Sequence, residues 1–164
     1  MISIIIPTYN RPESCCNTVR SILKLKIKSD HEIIIIDDSS SEKYSFSEFG
    51  GRVNYFRNDT NSGPSKSRNR GVLLSKGDII FFVDDDIIIT GNVFDKHLDL
   101  YKQDGKIVSI VSNTISIADD DRKNLNNKLN GYINSRGVNK LGKDANIPGH
   151  YLTAAFCSIK RDRC

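Results

Sequence analysis

Three short runs of β-branched and aromatic residues, each broken off by a polar cluster, constrain this chain more than any other feature. Ile4-Ile5-Ile6 leads into Thr8-Tyr9-Asn10. Ile33-Ile34-Ile35-Ile36 leads into Asp37-Asp38-Ser39, and Ile79-Ile80-Phe81-Phe82-Val83 leads into Asp84-Asp85-Asp86. Runs this short and this uniformly apolar read as strands covered on both faces. Surface strands would alternate apolar with polar residues instead.

The segments between the runs have helical spacing. After Pro12, a residue suited to a first helical turn, Cys15, Cys16, Val19, Ile22 and Leu23 share one face. A second helix is predicted over 65–75 and stopped by Gly77. A third is predicted over 92–103, with Val93, His97, Leu98 and Tyr101 on one side. Strands are predicted over 1–7, 32–36, 52–56, 78–83, 106–117 and 150–159. The polar stretch 41–50 suggests a short helix, and 119–147 suggests a mobile loop. Such alternation specifies an α/β fold, a mainly parallel sheet with helices on both faces and a Rossmann-like first half. At 164 residues, the chain has the size of a single domain, 1–164.

Bulk properties remove several function classes. A net charge of +4 is far from the basic stripe of a nucleic-acid binder. It suits an anionic ligand or a weak peripheral membrane association. Cys15, Cys16, Cys157 and Cys164 form no C-x-x-C pair, which argues against zinc and fits a reducing, cytoplasmic setting. No apolar run approaches the length of a membrane span, and the first residues lack the basic flank of a signal peptide. No G-x-G-x-x-G follows the first strand and no P-loop motif is present.

In open parallel sheets, ligands bind beyond the carboxyl ends of the strands. All three polar clusters are therefore expected at one edge. Asp84 and Asp86 are two residues apart, so an extended backbone would point both carboxylates the same way. Adjacent carboxylates repel, and a hard divalent cation, Mg²⁺ or Mn²⁺, relieves the repulsion. The bland alternatives are a solvated acidic turn and a helix cap at Asp86. Asp38 suits a base N–H or a ribose hydroxyl, or else a plain turn. Arg68 is placed to neutralise phosphate charge.

Four motifs in this order resemble family 2 glycosyltransferases of the GT-A fold. They are Ile4-Ile5-Ile6-Pro7-Thr8-Tyr9-Asn10-Arg11, Ile33–Ser40 ending in Asp37-Asp38-Ser39-Ser40, Asn61-Ser62-Gly63 with Ser67-Arg68-Asn69-Arg70-Gly71, and Gly77–Asp86. The resemblance implies inverting transfer of a sugar from a nucleotide-sugar donor, a UDP-sugar by preference, to a polysaccharide or glycolipid acceptor. It implies that Pro7, Thr8 and Tyr9 line the nucleoside pocket, that Asp38 meets the base and that Arg68 lies near the nucleotide. Asp84 would face the ribose and Asp86 the cation.

The resemblance also implies a downstream carboxylate as general base. Ala154–Ile159 with Lys160-Arg161-Asp162 is similar to the segment that precedes it, and no counterpart of the base follows. The expectation is a chain incomplete at its C-terminal end, with Asp144 or His150 as substitute bases. Two other readings compete: a nucleotide-sugar-binding remnant without catalysis, and a haloacid dehalogenase-type phosphatase, which also places D-x-D after a strand.

Overall fold

All seven residues of the first strand, β1 (Ile2–Thr8), are buried, as a central strand requires. A computed structural model describes residues 1–112 and 155–164, and these belong to one compact unit. The strands that follow are β2 (His31–Asp37), β3 (Asn54–Arg57), β4 (Ile79–Val83), β5 (Ser109–Val111) and β6 (Phe156–Lys160). Their order in the sheet is β3-β2-β1-β4-β6-β5. β1 pairs in parallel with both β2 and β4, and β2 with β3. β6 runs antiparallel to β4 and β5. The sheet is mainly parallel, as the apolar runs predict.

Alternate residues of each run serve opposite faces. Ile4, Ile6, Ile33, Ile35, Phe81 and Val83 pack on Cys15, Val19 and Ile22 of α1 (Pro12–Leu23) and on Phe94 of α3 (Val93–Gln103). Ile5, Ile34, Ile36 and Ile80 form the opposite face, where Val72 of α2 (Pro64–Leu74) packs. Helices thus cover both faces. Each isoleucine buried in this way contributes about 2 kcal/mol of transfer free energy. The isoleucine runs are therefore the principal source of cohesion.

The helices start where local chemistry allows. Pro12 and Pro64 stand in the first turns of α1 and α2, where a missing N–H costs nothing. Asn92 caps α3, its side chain accepting from Asp95 N–H at 3.2 Å. The stretch 41–50 yields only a short 3₁₀ turn, Ser47–Phe49.

Three expectations need correction. α2 ends at Leu74, one residue before the predicted end, and Gly77 is not its stop: Ser75 turns extended while its N–H and Oγ both donate to Val72 C=O. Gly77 instead lies against β1, where a Cβ would stand 2.5 Å from Ser3 N and 2.6 Å from Ile2 C. The strand expected over 106–117 is shorter at its start, because Asp104–Ile107 forms a turn, with Ile107 N–H donating to Asp104 C=O. On α3, the buried residues are Phe94, His97 and Tyr101. Phe94 was missed because the predicted stripe was drawn through Val93. The expected loop 119–147 and the first part of the expected strand 150–159 lie outside the described residues.

His97 is buried between two hydroxyls. Its ring nitrogens lie 2.8 Å from Ser158 Oγ and 2.8 Å from Ser112 Oγ, and Phe81 stacks on it at 5.3 Å. Burial lowers its pKa to about 4.

Two outcomes are expected. Gly77→Ala forces β1 and the 75–78 connection apart and costs about 2 kcal/mol in urea unfolding. Folded His97 holds its proton more weakly than the unfolded chain does, so protons favour unfolding. Stability is full above about pH 6.5 and falls by about 3 kcal/mol as pH drops towards 4. In His97→Asn, urea midpoints followed from pH 7 to pH 4 show a shallower decline.

Candidate functional site

The parallel register fixes where the strand ends meet. Ile5 lies beside Ile34 on one side and Phe82 on the other. Counting three residues on from Ile5 and Phe82 brings Thr8 level with Asp85. The pairing is direct: Thr8 Oγ1 donates to Asp85 Oδ2 at 2.7 Å, buried. β1 also meets the loop after β2, with Asp38 N–H donating to Thr8 C=O at 2.9 Å.

The result is a cavity of about 340 Å³ at the carboxyl edge of the sheet. Pro7, Thr8, Tyr9 and Arg11 line it from β1 and the start of α1. Asp38 comes from the end of β2, Asn61, Gly63, Pro64 and Arg68 from the α2 approach, and Asp84, Asp85 and Asp86 from the end of β4. All six nucleotide-contact candidates, Pro7, Thr8, Tyr9, Asp38, Arg68 and Asp84, therefore face one space. Both metal candidates, Asp84 and Asp86, face it too.

The loops that shape this space use uncommon backbone. Asn10 and Ser39 have φ of 53° and 66°. Asn visits this region readily, Ser less so. Hydrogen bonds hold both turns: Asn10 N–H donates to Ser40 Oγ at 2.9 Å, and Ser41 N–H to Asn10 Oδ1 at 2.7 Å. Strain of this kind survives only where the surroundings enforce it.

The Asp37-Asp38 pair divides into two jobs. Asp37 points inward, accepting from Ser40 N–H and Oγ and from Tyr55 OH at 2.6 Å. Burial, then this bond to Asp37, pushes the Tyr55 phenol up to about 12. Asp38 points to the cavity but is already engaged. It accepts from Asn58 Nδ2 at 2.6 Å, from Ser62 N–H at 3.0 Å and from Gly63 N–H at 2.7 Å. Burial alone would raise its pKa, yet the bonds from Asn58, Ser62, Gly63 and Ser67 outweigh that and lower it. Gly63, with φ of 86°, lets its N–H turn towards this carboxylate as α2 begins.

The acidic run leaves the strand yet keeps Asp84 and Asp86 on the cavity. β4 ends at Val83 and the chain turns through Asp85 and Asp86, so the three carboxylates find different partners. Arg68 Nη2 donates to Asp84 Oδ1 at 2.5 Å. Arg11 Nη1 donates to the exposed Asp86 at 2.9 Å and stands 3.3 Å from Asp85. Asp85 is buried, and burial, more than the charges of Asp86 and Asp84, raises its pKa. Arg68 Nε is buried and has no hydrogen-bond partner among the described residues. Arg68 lines the cavity, and a buried donor left without a partner calls for an acceptor.

The family model for Glycosyl transferase family 2 matches residues 3–162. The chain belongs to glycosyl transferase family 2. It is 36% identical over 108 residues to an uncharacterized glycosyltransferase of Haemophilus influenzae, covering 65% of this chain and 36% of the relative. It is 36% identical over 94 residues to the poly(ribitol-phosphate) beta-N-acetylglucosaminyltransferase TarP of Staphylococcus aureus, covering 54% of this chain and 29% of TarP. The chain thus spans about a third of the length of these curated relatives.

Solved structures share the GT-A fold. S. aureus TarS 1-349 in complex with UDP-GlcNAc superposes with a TM-score of 0.61 at 22% identity, over 74% of this chain and 38% of TarS 1-349. The mannosyltransferase PcManGT of Pyrobaculum calidifontis, in complex with GDP-Man and Mn²⁺, gives 0.69 at 14% identity, over 98% and 44%. The phosphatase alternative falls with family membership, and β1 ends in Thr8 where that fold would carry its nucleophilic Asp.

In this family 2 chain, two site features escaped the sequence reading. Nothing in the sequence pattern singles out Arg11, or Asp85 from its two neighbours. The β1–β4 register brings Thr8 to Asp85, and the Arg11 side chain then reaches Asp85 and Asp86, neither of which residue spacing encodes. Asp144 and His150, considered as bases, lie outside the described residues.

Asp38 carries a pH prediction. Its folded pKa lies below the ordinary 3.8, so the folded state favours the carboxylate. The stabilisation is present above about pH 4 and is lost as pH falls through the folded value. Asp38→Asn lowers the urea midpoint at pH 7 and flattens the wild-type decline below pH 4, a window separate from that of His97.

Proposed function

We propose that this chain supplies the donor-binding part of an inverting, metal-dependent glycosyltransferase. The donor is a nucleotide-diphosphate sugar, a UDP-sugar by preference, and the acceptor a polysaccharide or glycolipid. The observation that carries this reading is the convergence of three strand ends on one cavity that joins carboxylates to a buried, unpaired Arg68 donor. The TarS complex with UDP-GlcNAc and the names of TarP and of the putative colanic acid biosynthesis glycosyl transferase WcaA of Escherichia coli support the choice of donor and acceptor class.

In this reading, Pro7, Thr8 and Tyr9 border the nucleoside and Asp38 takes the base. Asp38 then either shares its oxygens with the base or gives up part of its hold on the Asn58–Gly63 loop. Arg68 Nε meets an oxygen of the donor while Nη2 keeps Asp84 in place beside the ribose.

The acidic turn fits a hard divalent cation, Mn²⁺ or Mg²⁺. Arg68 engages one oxygen of Asp84 and leaves its second, while Asp86 is exposed and, among the described residues, is engaged only by Arg11, with which a cation there would compete. Among the described residues, no group of three ligating side chains is preassembled. A cation held here would complete its shell with donor phosphate oxygens and water, the usual arrangement for Mg²⁺. Its chemical contribution is to stabilise negative charge on the departing diphosphate. No helix among the described residues is long and apolar enough to cross a membrane.

The test is calorimetric. UDP is expected to bind at least about tenfold more tightly with Mn²⁺ than without it, as charge-assisted contacts to phosphate warrant. Asp84→Ala combined with Asp86→Ala is expected to abolish that gain. An undiminished gain in the double variant refutes the reading.

A further inference from the structure

We propose that Arg11 is a positioning residue that occupies Asp86 until a cation and a pyrophosphate displace it. The inference rests on the donor-binding reading above and adds to it how the acidic turn is held before the donor binds.

The geometry of Arg11 is asymmetric. Its backbone is fixed: Arg11 N–H donates to Tyr44 OH at 2.7 Å, and Arg11 C=O accepts from Cys15 N–H at 3.0 Å to start α1. Its side chain is 56% exposed. One nitrogen, Nη1, serves both carboxylates, 2.9 Å from Asp86 Oδ2 and 3.3 Å from Asp85 Oδ1. Those two carboxylates differ. Asp85 is buried and bound to Thr8, so it stays where it is. Asp86 is 54% exposed and has only Arg11 as a hydrogen-bond partner among the described residues.

A divalent cation that takes Asp86 must displace Arg11, because guanidinium and cation compete for one carboxylate and repel each other. Arg11 does not lose its place when this happens. Asp85 still attracts it, and the guanidinium carries five N–H donors in a fork suited to phosphate oxygens. A pyrophosphate arriving beside the cation offers those oxygens. Arg11 therefore ties Asp86 to Asp85 before ligands bind, opposes the cation when it comes alone, and contributes to donor binding once Asp86 is released.

Two opposite effects follow from removing it. Arg11→Gln is expected to bind Mn²⁺ alone about fivefold more tightly and UDP at saturating Mn²⁺ about fivefold more weakly, the scale of one partly exposed ion pair. Electron paramagnetic resonance titration of free Mn²⁺ and calorimetry with UDP at saturating Mn²⁺ read the two constants on the 164-residue chain. Arg11→Lys keeps the charge but not the fork and is expected to fall between wild type and Arg11→Gln. It also serves if the glutamine variant is unstable. A purely structural arginine would not move the two constants in opposite directions, so an unchanged value for either ligand overturns the proposal. Asp86→Ala separates the layers. If it leaves Mn²⁺-assisted UDP binding intact, the donor reading itself fails. If it abolishes that assistance while the Arg11 variants match wild type, only the role of Arg11 falls.

Discussion

The parallel pairing of β1 with β2 and β4 is the constraint on which the site depends. It sets three strand ends level, and everything chemical in the chain stands within a few residues of those ends. The alignment is enforced by burial. A slip of one residue would turn Ile4 and Ile6 away from α1 and present Ile5 in their place. Many buried isoleucines resist that slip, each by an amount comparable to a whole surface ion pair or more. The apolar runs thus do two things: they hold the sheet together and they position carboxylates that by themselves repel.

The electrostatics of the site are built in layers. Asp37 is spent inside, on Ser40 and Tyr55, and keeps the turn after β2 in its strained form. Asp38 ties down the approach to α2 and still borders the cavity. Asp85 is buried beneath Thr8, while Asp84 and Asp86 reach outward, each held by an arginine from a different helix or helix start. Five carboxylates at one edge are tolerable because donors of the fold take up much of their hydrogen-bonding capacity.

Much of this was legible in the sequence, and the limits have physical causes. Continuous Ile runs betrayed β1, β2 and β4, because few structures other than covered strands use them. The clusters Thr8-Tyr9, Asp38 and Asp84-Asp85-Asp86 were placed at one edge by topology alone. Asp84 and Asp86 both line the cavity, although the strand ends at Val83 and a turn has no period of two to aim them. The partners of those carboxylates could not be read, since Arg11–Asp86 and Arg68–Asp84 contacts depend on register and rotamer. Gly77 was taken for a helix stop from its position after a helix, when its lack of a Cβ serves the packing of β1.

β6 has a bearing on how the chain assembles. It lies between β4 and β5, although it follows both in sequence. β3, β2, β1 and β4 can join through crossovers of modest length, but among the described strands β5 has no partner except β6. Val111 and Phe156, far apart in sequence, must therefore come together before that side of the sheet exists, and bringing distant residues together costs chain entropy before any contact repays it. Until then the edge of β4 stays open, so Asp84 N–H, which pairs with Ala155 C=O in the finished fold, depends on the segment drawn from furthest along the chain.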